Sequence, residues 1–173
     1  KSSSHGLEYA DDSFKKDKKF MLKAVKLCET GGALRHAHRS LQKDREVVLA
    51  AVKKRGYALE YAHKSFRKNK QIVIEAVKEE GHALQYADKS FRKDRNIVLL
   101  AIKQDGSAIR YADKSFKKDK KFVLKALKSP FPHPRFTLQF IDHSLRDDPD
   151  ILSIVNKKWS YQNYLKNLKK QKK

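Results

Sequence analysis

The side chains with the clearest chemical potential in this chain are basic, and they return at fixed intervals. Lys64, Arg67, Lys68 and Lys70 fall in a stretch that carries no acid. Lys89, Arg92, Lys93 and Arg95 repeat the arrangement one period later, and Lys114, Lys117, Lys118 and Lys120 repeat it again. Upstream, Arg39, Lys43 and Arg45 form a thinner version, as do Lys15, Lys16 and Lys18. A file of such cations can neutralise a row of phosphates and release their counterions. The expectation is contact with nucleic-acid phosphates, DNA before RNA, with little base readout. An acidic protein surface is the alternative partner that the same charge would fit.

The net charge of +21, from 41 basic and 20 acidic residues, exceeds what solubility requires. It is also unevenly placed, since the rest of the third copy sets Lys78 against Glu60, Glu75, Glu79 and Glu80. Other chemistry finds less support. His36 and His38 are spaced i, i+2 and face different sides of a helix. There is no HExxH, no glycine-rich phosphate loop and no cysteine cluster. The expectation is a non-enzymatic protein with no cofactor and no metal.

These cations must be positioned by a repeat. Residues 56–80, GYALEYAHKSFRKNKQIVIEAVKEE, return as 81–105 and again from Gly106. The anchor aliphatic falls at Leu7, Leu34, Leu59, Leu84, Ile109 and Leu138. Copies are expected near 4–30, 31–55, 56–80, 81–105, 106–134 and 135–158. A fixed period in this range implies stacked supersecondary units. In each copy Ala58, Leu59, Ala62 and then Ile72, Val73, Ala76, Val77 read as two apolar helical stripes. Asp17, Asp44, Asn69, Asp94, Asp119 and Asp148 sit where the second helix needs an N-cap, and Pro149 follows the last of them. Gly56, Gly81 and Gly106 read as helix stops with positive φ. One such pair is too small to bury its own stripe, so the fold class is all-α, an α-solenoid of about six two-helix repeats.

Stacking turns each repeated position into a row. The basic residues fall in the inter-helix connection and the first turn of the second helix, so they form a ladder along one edge, with rungs roughly 10 Å apart. The row Ser13, Ser40, Ser65, Ser90, Ser115, Ser144 reads as local backbone hydrogen bonding at a helix break. The column Tyr9, His36, Tyr61, Tyr86, Tyr111, Phe140 offers base stacking on one reading and inter-repeat packing on the better one.

The pattern A-L-x-Y-A-x-x-S-F/L-x-x-D-x-x-V/I-V-L-x-A-V-K, seen in Ala58 to Ala62 and Arg45 to Lys53, resembles a family of tandem short helical repeats catalogued as a domain of unknown function. Its members occur in large DNA viruses, protists and some bacteria. The resemblance spans about Leu7 to Val155 and implies a helical-repeat fold with no catalytic residues. Lys64, Lys89, Lys114, Arg67 and Arg92 depart from the acidic or neutral residues usual there, which marks a basic version.

Ser129 to Pro134 reads as an elbow before the last copy. Trp159, Tyr161, Tyr164, Leu165 and Leu168 read as a capping helix within 159–173, ending in a basic tail. No apolar run approaches a membrane span, and no exposed apolar face accompanies the charge, so a membrane partner is not expected. Cys28 stands alone, consistent with a reducing intracellular compartment, nuclear or DNA-associated. No signal-peptide core is visible, while the start at Lys1 leaves an upstream segment open.

Overall fold

A computed structural model of the chain describes residues 4–28, 32–129 and 137–157. The elbow prolines, the capping helix and the basic tail lie outside the described residues.

The described residues form an all-α solenoid without strands. Its spine is a series of long helices, α1 (Lys18–Leu27), α2 (Arg45–Lys54), α3 (Lys70–Glu79), α4 (Arg95–Gln104) and α5 (Lys120–Lys128). Each packs on the next. Residues 149–157 are helical in the same position of a sixth copy. The expected cap row holds throughout. Asp44 accepts from the Glu46 and Val47 amides at 2.9 and 3.1 Å, Asn69 from Ile72 at 3.1 Å, and Asp148 from Asp150 at 3.0 Å. These bonds satisfy amides that no helical turn can reach.

In the third to fifth copies the first helix of the pair is a 3-10 helix, Gly56–Glu60, Gly81–Tyr86 and Gly106–Tyr111, whereas in the second it is a single α-helical turn, Ala33–His36. Five or six residues after an extended cap are too few for a stable α-helix, and the tighter winding suits such short pieces. It buries Ala58 and Leu59 completely, or nearly so, beside Ile72, Val73 and Ala76 of α3. The connection is itself helical for one turn, at Lys64–Arg67, Lys89–Arg92 and Lys114–Lys118. The apolar residues of all copies merge into one continuous core. Each aliphatic side chain it removes from water contributes roughly 1.5–3 kcal/mol.

Two backbone devices set the stacking. His63, Asp88 and Asp113 donate their amides to the Gln42, Arg67 and Arg92 carbonyls of the preceding copy at 3.0, 2.9 and 2.9 Å. The same bond joins His38 to Lys15 and Asp142 to Lys117. The glycines are the second device, and here the expectation is corrected. None of Gly56, Gly81 or Gly106 adopts a left-handed backbone. They are required for space. Gly56 follows α2 and lies against the last turn of α3, where an added Cβ would come within 3.0 Å of the Ala76 carbonyl oxygen. Gly81 meets Ala101 and Gly106 meets Ala126 in the same way.

Gly81→Ala should therefore destabilise the solenoid by roughly 1–3 kcal/mol through overpacking against a backbone atom that cannot yield. Gly6→Ala, with nothing within 4 Å of its Cβ position, should leave the denaturation midpoint unchanged. Urea unfolding followed by circular dichroism separates the two.

Candidate nucleic-acid interface

The backbone ladder brings successive connections into register, so each repeated cation has an equivalent directly above and below it. Numbering from the long-helix cap sorts these cations into four rows with different surroundings.

The residue just after each cap pairs with the next copy. Lys18 lies 2.9 Å from Asp44 and 2.8 Å from Glu46. Lys70 lies 3.3 Å from Asp94 and Arg95 3.5 Å from Asp119. Lys120 lies 2.8 Å from both Asp148 and Asp150. Arg45 is the informative exception. The next cap is Asn69, which offers no charge, and Arg45 donates instead to Gln71 Oε1 at 2.6 Å. The cap aspartates thus do two tasks, holding a helix start and anchoring the cation of the copy before. The guanidinium of Arg95 also lies 4.7 Å from the centre of the Phe122 ring.

The residue two before each cap ties the one-turn helix back to the 3-10 helix of its own copy. Arg67 donates to the Glu60 carbonyl and, through Nε, to Ala62 at 3.3 Å. Arg92 donates to the Gln85 carbonyl, and Lys117 reaches Arg110 at 2.6 Å. Lys15 holds Glu8 at 3.1 Å, Arg146 holds Gln139 at 3.2 Å, and Gln42 fills the same role toward Leu34 at 3.2 Å. That an uncharged glutamine serves equally shows what the position requires, which is a long donor for orphaned carbonyls. Burial pushes the Lys117 ammonium below its ordinary value, helped by the nearby Arg110 charge.

The other two rows project outward. Arg39, Lys64, Lys89 and Lys114 are exposed and make no ion pair with a described residue. Lys16, Lys43, Lys68, Lys93 and Lys118 are exposed as well. The last two only graze the next copy, with Lys93 at 4.0 Å from Asp113 and Lys118 at 3.9 Å from Asp142. The edge is consequently less free of acid than the sequence suggests. Asp88, Asp113 and Asp142 precede the basic stretch in sequence, and the stacking sets them among the lysines of the copy before.

Those aspartates form a second cap row that sequence reasoning missed, together with Asp11, His38 and His63. Each accepts the amide two residues on, as Asp88 does from Ser90 at 3.0 Å and His63 from Ser65 at 3.4 Å. The Ser90 and Ser115 hydroxyls donate to the same carboxylates at 2.9 Å. The serine row is thus local punctuation, as expected. The signal was present in the A-D-K-S spacing but was masked by the stronger cap six residues later. The backbone and hydroxyl hydrogen bonds from Ser90 hold the Asp88 carboxyl below its ordinary value, and those from Ser115 do the same for Asp113.

The aromatic column packs. Tyr61, Tyr86, Tyr111 and Phe140 lie half-buried against the core, and Arg110 stacks between Tyr111 and Phe140 at 5.0 and 4.9 Å. Burial, with Glu60 close by, pushes the Tyr86 phenol up to about 12. Tyr9 alone in this column stands open, at 86% exposure.

A polar chain unforeseen from sequence crosses the 3-10 helices on another face. Tyr57 Oη lies 3.2 Å from His82 Nδ1, and His82 Nε2 lies 2.6 Å from Ser107 Oγ and 3.4 Å from Asp105 Oδ2. Ser107 is fully buried and donates to Asp105 at 2.8 Å. A nucleophilic relay would need an accessible hydroxyl and a carboxylate on the far ring nitrogen. This set has neither and acts as a link between copies. Among the described residues no group of His, Cys, Asp or Glu converges to hold a metal, and no helix is long and apolar enough to cross a membrane.

The chain belongs to the family described as Domain of unknown function (DUF4116), whose sequence profile matches five overlapping segments, 1–42, 27–67, 44–92, 69–117 and 94–132. No curated protein and no solved structure matches it. The cap geometry at Asp142 and Asp148 continues the repeat beyond the last matched segment.

Two measurements check the sorting of the rows. Arg92→Ala leaves the part-buried Gln85 carbonyl without this donor and should cost roughly 1–3 kcal/mol, while Lys89→Ala should stay within about 0.5 kcal/mol. Acid should also unfold the protein through its caps. Asp11, Asp88, Asp113, Asp142 and Asp148 are all held below their ordinary value. The unfolded chain therefore binds their protons more tightly, so the stability they add is complete above about pH 4 and falls as pH drops through the folded values. Thermal midpoints from pH 7 to pH 2 should be level at first and then decline.

Proposed function

We propose that this member of the family binds nucleic acid, duplex DNA in the first instance, through backbone phosphates laid along the basic edge. The observation that carries this reading is the pair of outward rows. Arg39, Lys64, Lys89 and Lys114 run beside Lys16, Lys43, Lys68, Lys93 and Lys118, a pair of cations in each of the second to fifth copies and a single one in the first. Internal contacts already engage the other two rows, so the outward cations are surplus to folding. Mutual repulsion along such an edge disfavours the unbound state, and an extended polyanion relieves it.

Copies stacked roughly 10 Å apart meet a duplex whose phosphates recur about every 3.4 Å along each strand. Each copy thus addresses about every third phosphate. No repeated position varies in a way that would read bases, and the aromatic column is occupied in packing. Affinity then comes from counterion release, with shape rather than sequence setting preference. Lys18, Lys70, Arg95 and Lys120, paired with acids of the next copy, and Lys15, Arg67, Arg92 and Lys117, bonded to backbone carbonyls, support the edge.

Fluorescence anisotropy with duplex DNA, single-stranded DNA and RNA tests this reading. Binding should weaken steeply with salt, with a log–log slope equivalent to roughly six phosphates. Reversing Lys64, Lys68, Lys89 and Lys93 to glutamate should abolish it while the helical circular dichroism signal stays. Unchanged binding by that variant, or no binding even at low salt, would overturn the reading and direct the search to an acidic protein surface.

A further inference from the structure

The connections along the basic edge are not equivalent. Between the second and third copies a cleft of about 290 Å³ is lined by Arg39, Gln42, Lys43 and His63. Its lining contains both outward cations of the second copy and no carboxylate. At the next three connections the residue equivalent to His63 is an aspartate, Asp88, Asp113 or Asp142. Lys93 and Lys118, the equivalents of Lys43, lie within 4.0 Å of two of them. At the first connection the opposing residue is again a histidine, His38, but the place of Arg39 is taken by Asp12, which lies 3.6 Å from Lys15. Among the described connections, the second is where a cation at each outward position meets an uncharged partner.

We propose that this cleft is a discrete phosphate-binding site. Arg39 supplies the planar fork that matches two oxygens of a phosphate, and Lys43 supplies a compact charge. His63 is oriented for the task. Its backbone amide is bonded to the Gln42 carbonyl at 3.0 Å. Its Nδ1 accepts from the Ser65 amide at 3.4 Å and lies 2.9 Å from the Ser65 hydroxyl, so the neutral tautomer with its hydrogen on Nε2 suits both contacts and makes Nε2 the donor. Gln42 completes the wall, with its amide nitrogen fixed on the Leu34 and Arg35 carbonyls. An aspartate in place of His63 would set a negative charge against the phosphate and draw Lys43 toward itself. The inference goes beyond the nucleic-acid reading, because it asks only for a phosphate group, whether in a polynucleotide backbone or free in solution.

The test is amide NMR of the full chain titrated with inorganic phosphate at low ionic strength. Shifts that saturate and concentrate at Arg39, Lys43 and His63 support the site. His63→Asp installs the residue that caps the equivalent helix in the next copies, so the fold should be kept, as circular dichroism can verify. It should weaken phosphate binding about tenfold through like-charge repulsion. Lys43→Ala should weaken it as well, and Lys68→Ala in the next connection should not. Shifts spread evenly over all connections, or equal phosphate affinity in H63D and the parent chain, would overturn the proposal. A parallel titration with short duplex DNA separates the two sources. Shifts of the same amides by DNA support a backbone-phosphate site. Shifts by inorganic phosphate alone support a free-phosphate site, and it is the nucleic-acid reading that would then fail.

Discussion

The whole structure depends on how closely each long helix can approach the start of its own copy's 3-10 helix, which directly follows the long helix of the copy before. At Gly56, Gly81 and Gly106 that separation leaves no space for a side chain. The close approach lets Ala58 and Leu59, and their equivalents, reach the core between successive long helices. It also brings the following connection to the height at which its amide meets the preceding carbonyl. Packing and hydrogen bonding thus impose the same register, and a change that loosens one strains the other. Such agreement between levels is what gives a repeat array a single stacking geometry.

Charge is placed in this lattice with two distinct purposes. A chain of +21 would repel itself if all its cations were unpaired, yet about half the repeated ones are engaged by contacts within the fold. The cation after each cap, Arg45 apart, is neutralised by the next copy, and the one two before it closes carbonyls of its own. Each exposed pair contributes little singly. Their value lies in repetition, since Asp44, Asp94, Asp119 and Asp148 each couple neighbouring copies while they hold a helix start. What remains outside is a thinner double row, and it is this remainder that a polyanion would meet. Small changes of residue then have local consequences. Asn69 releases Arg45 from a carboxylate, and His63 removes the acid that would face Arg39 and Lys43.

Much of this was legible before any coordinates. Period, apolar stripes and the cap series Asp17 to Asp148 are properties of sequence-local geometry, so spacing alone located the long helices and their starts. The serine row and the aromatic column were also readable, because residues that tolerate Phe140 and His36 in place of tyrosine are responding to packing. The glycines were read by their most common role, left-handed turns, whereas space was the governing constraint. The helical character of Lys64–Arg67 was hidden because four residues are too few to show a period.

The sequence by itself determined that the chain is a helical repeat with its charge gathered at one point of each unit, since both follow from residue type and spacing along a single copy. Only the tertiary structure decided which cations are engaged. Arg92 and Lys93 are neighbours in sequence with the same charge, yet one is folded inward onto the Gln85 carbonyl and the other projects past Asp113 of the next copy. That difference arises from the direction of the chain through a one-turn helix and from what the adjacent copy sets opposite it. Neither is encoded in the spacing of one repeat, because both are properties of the stack.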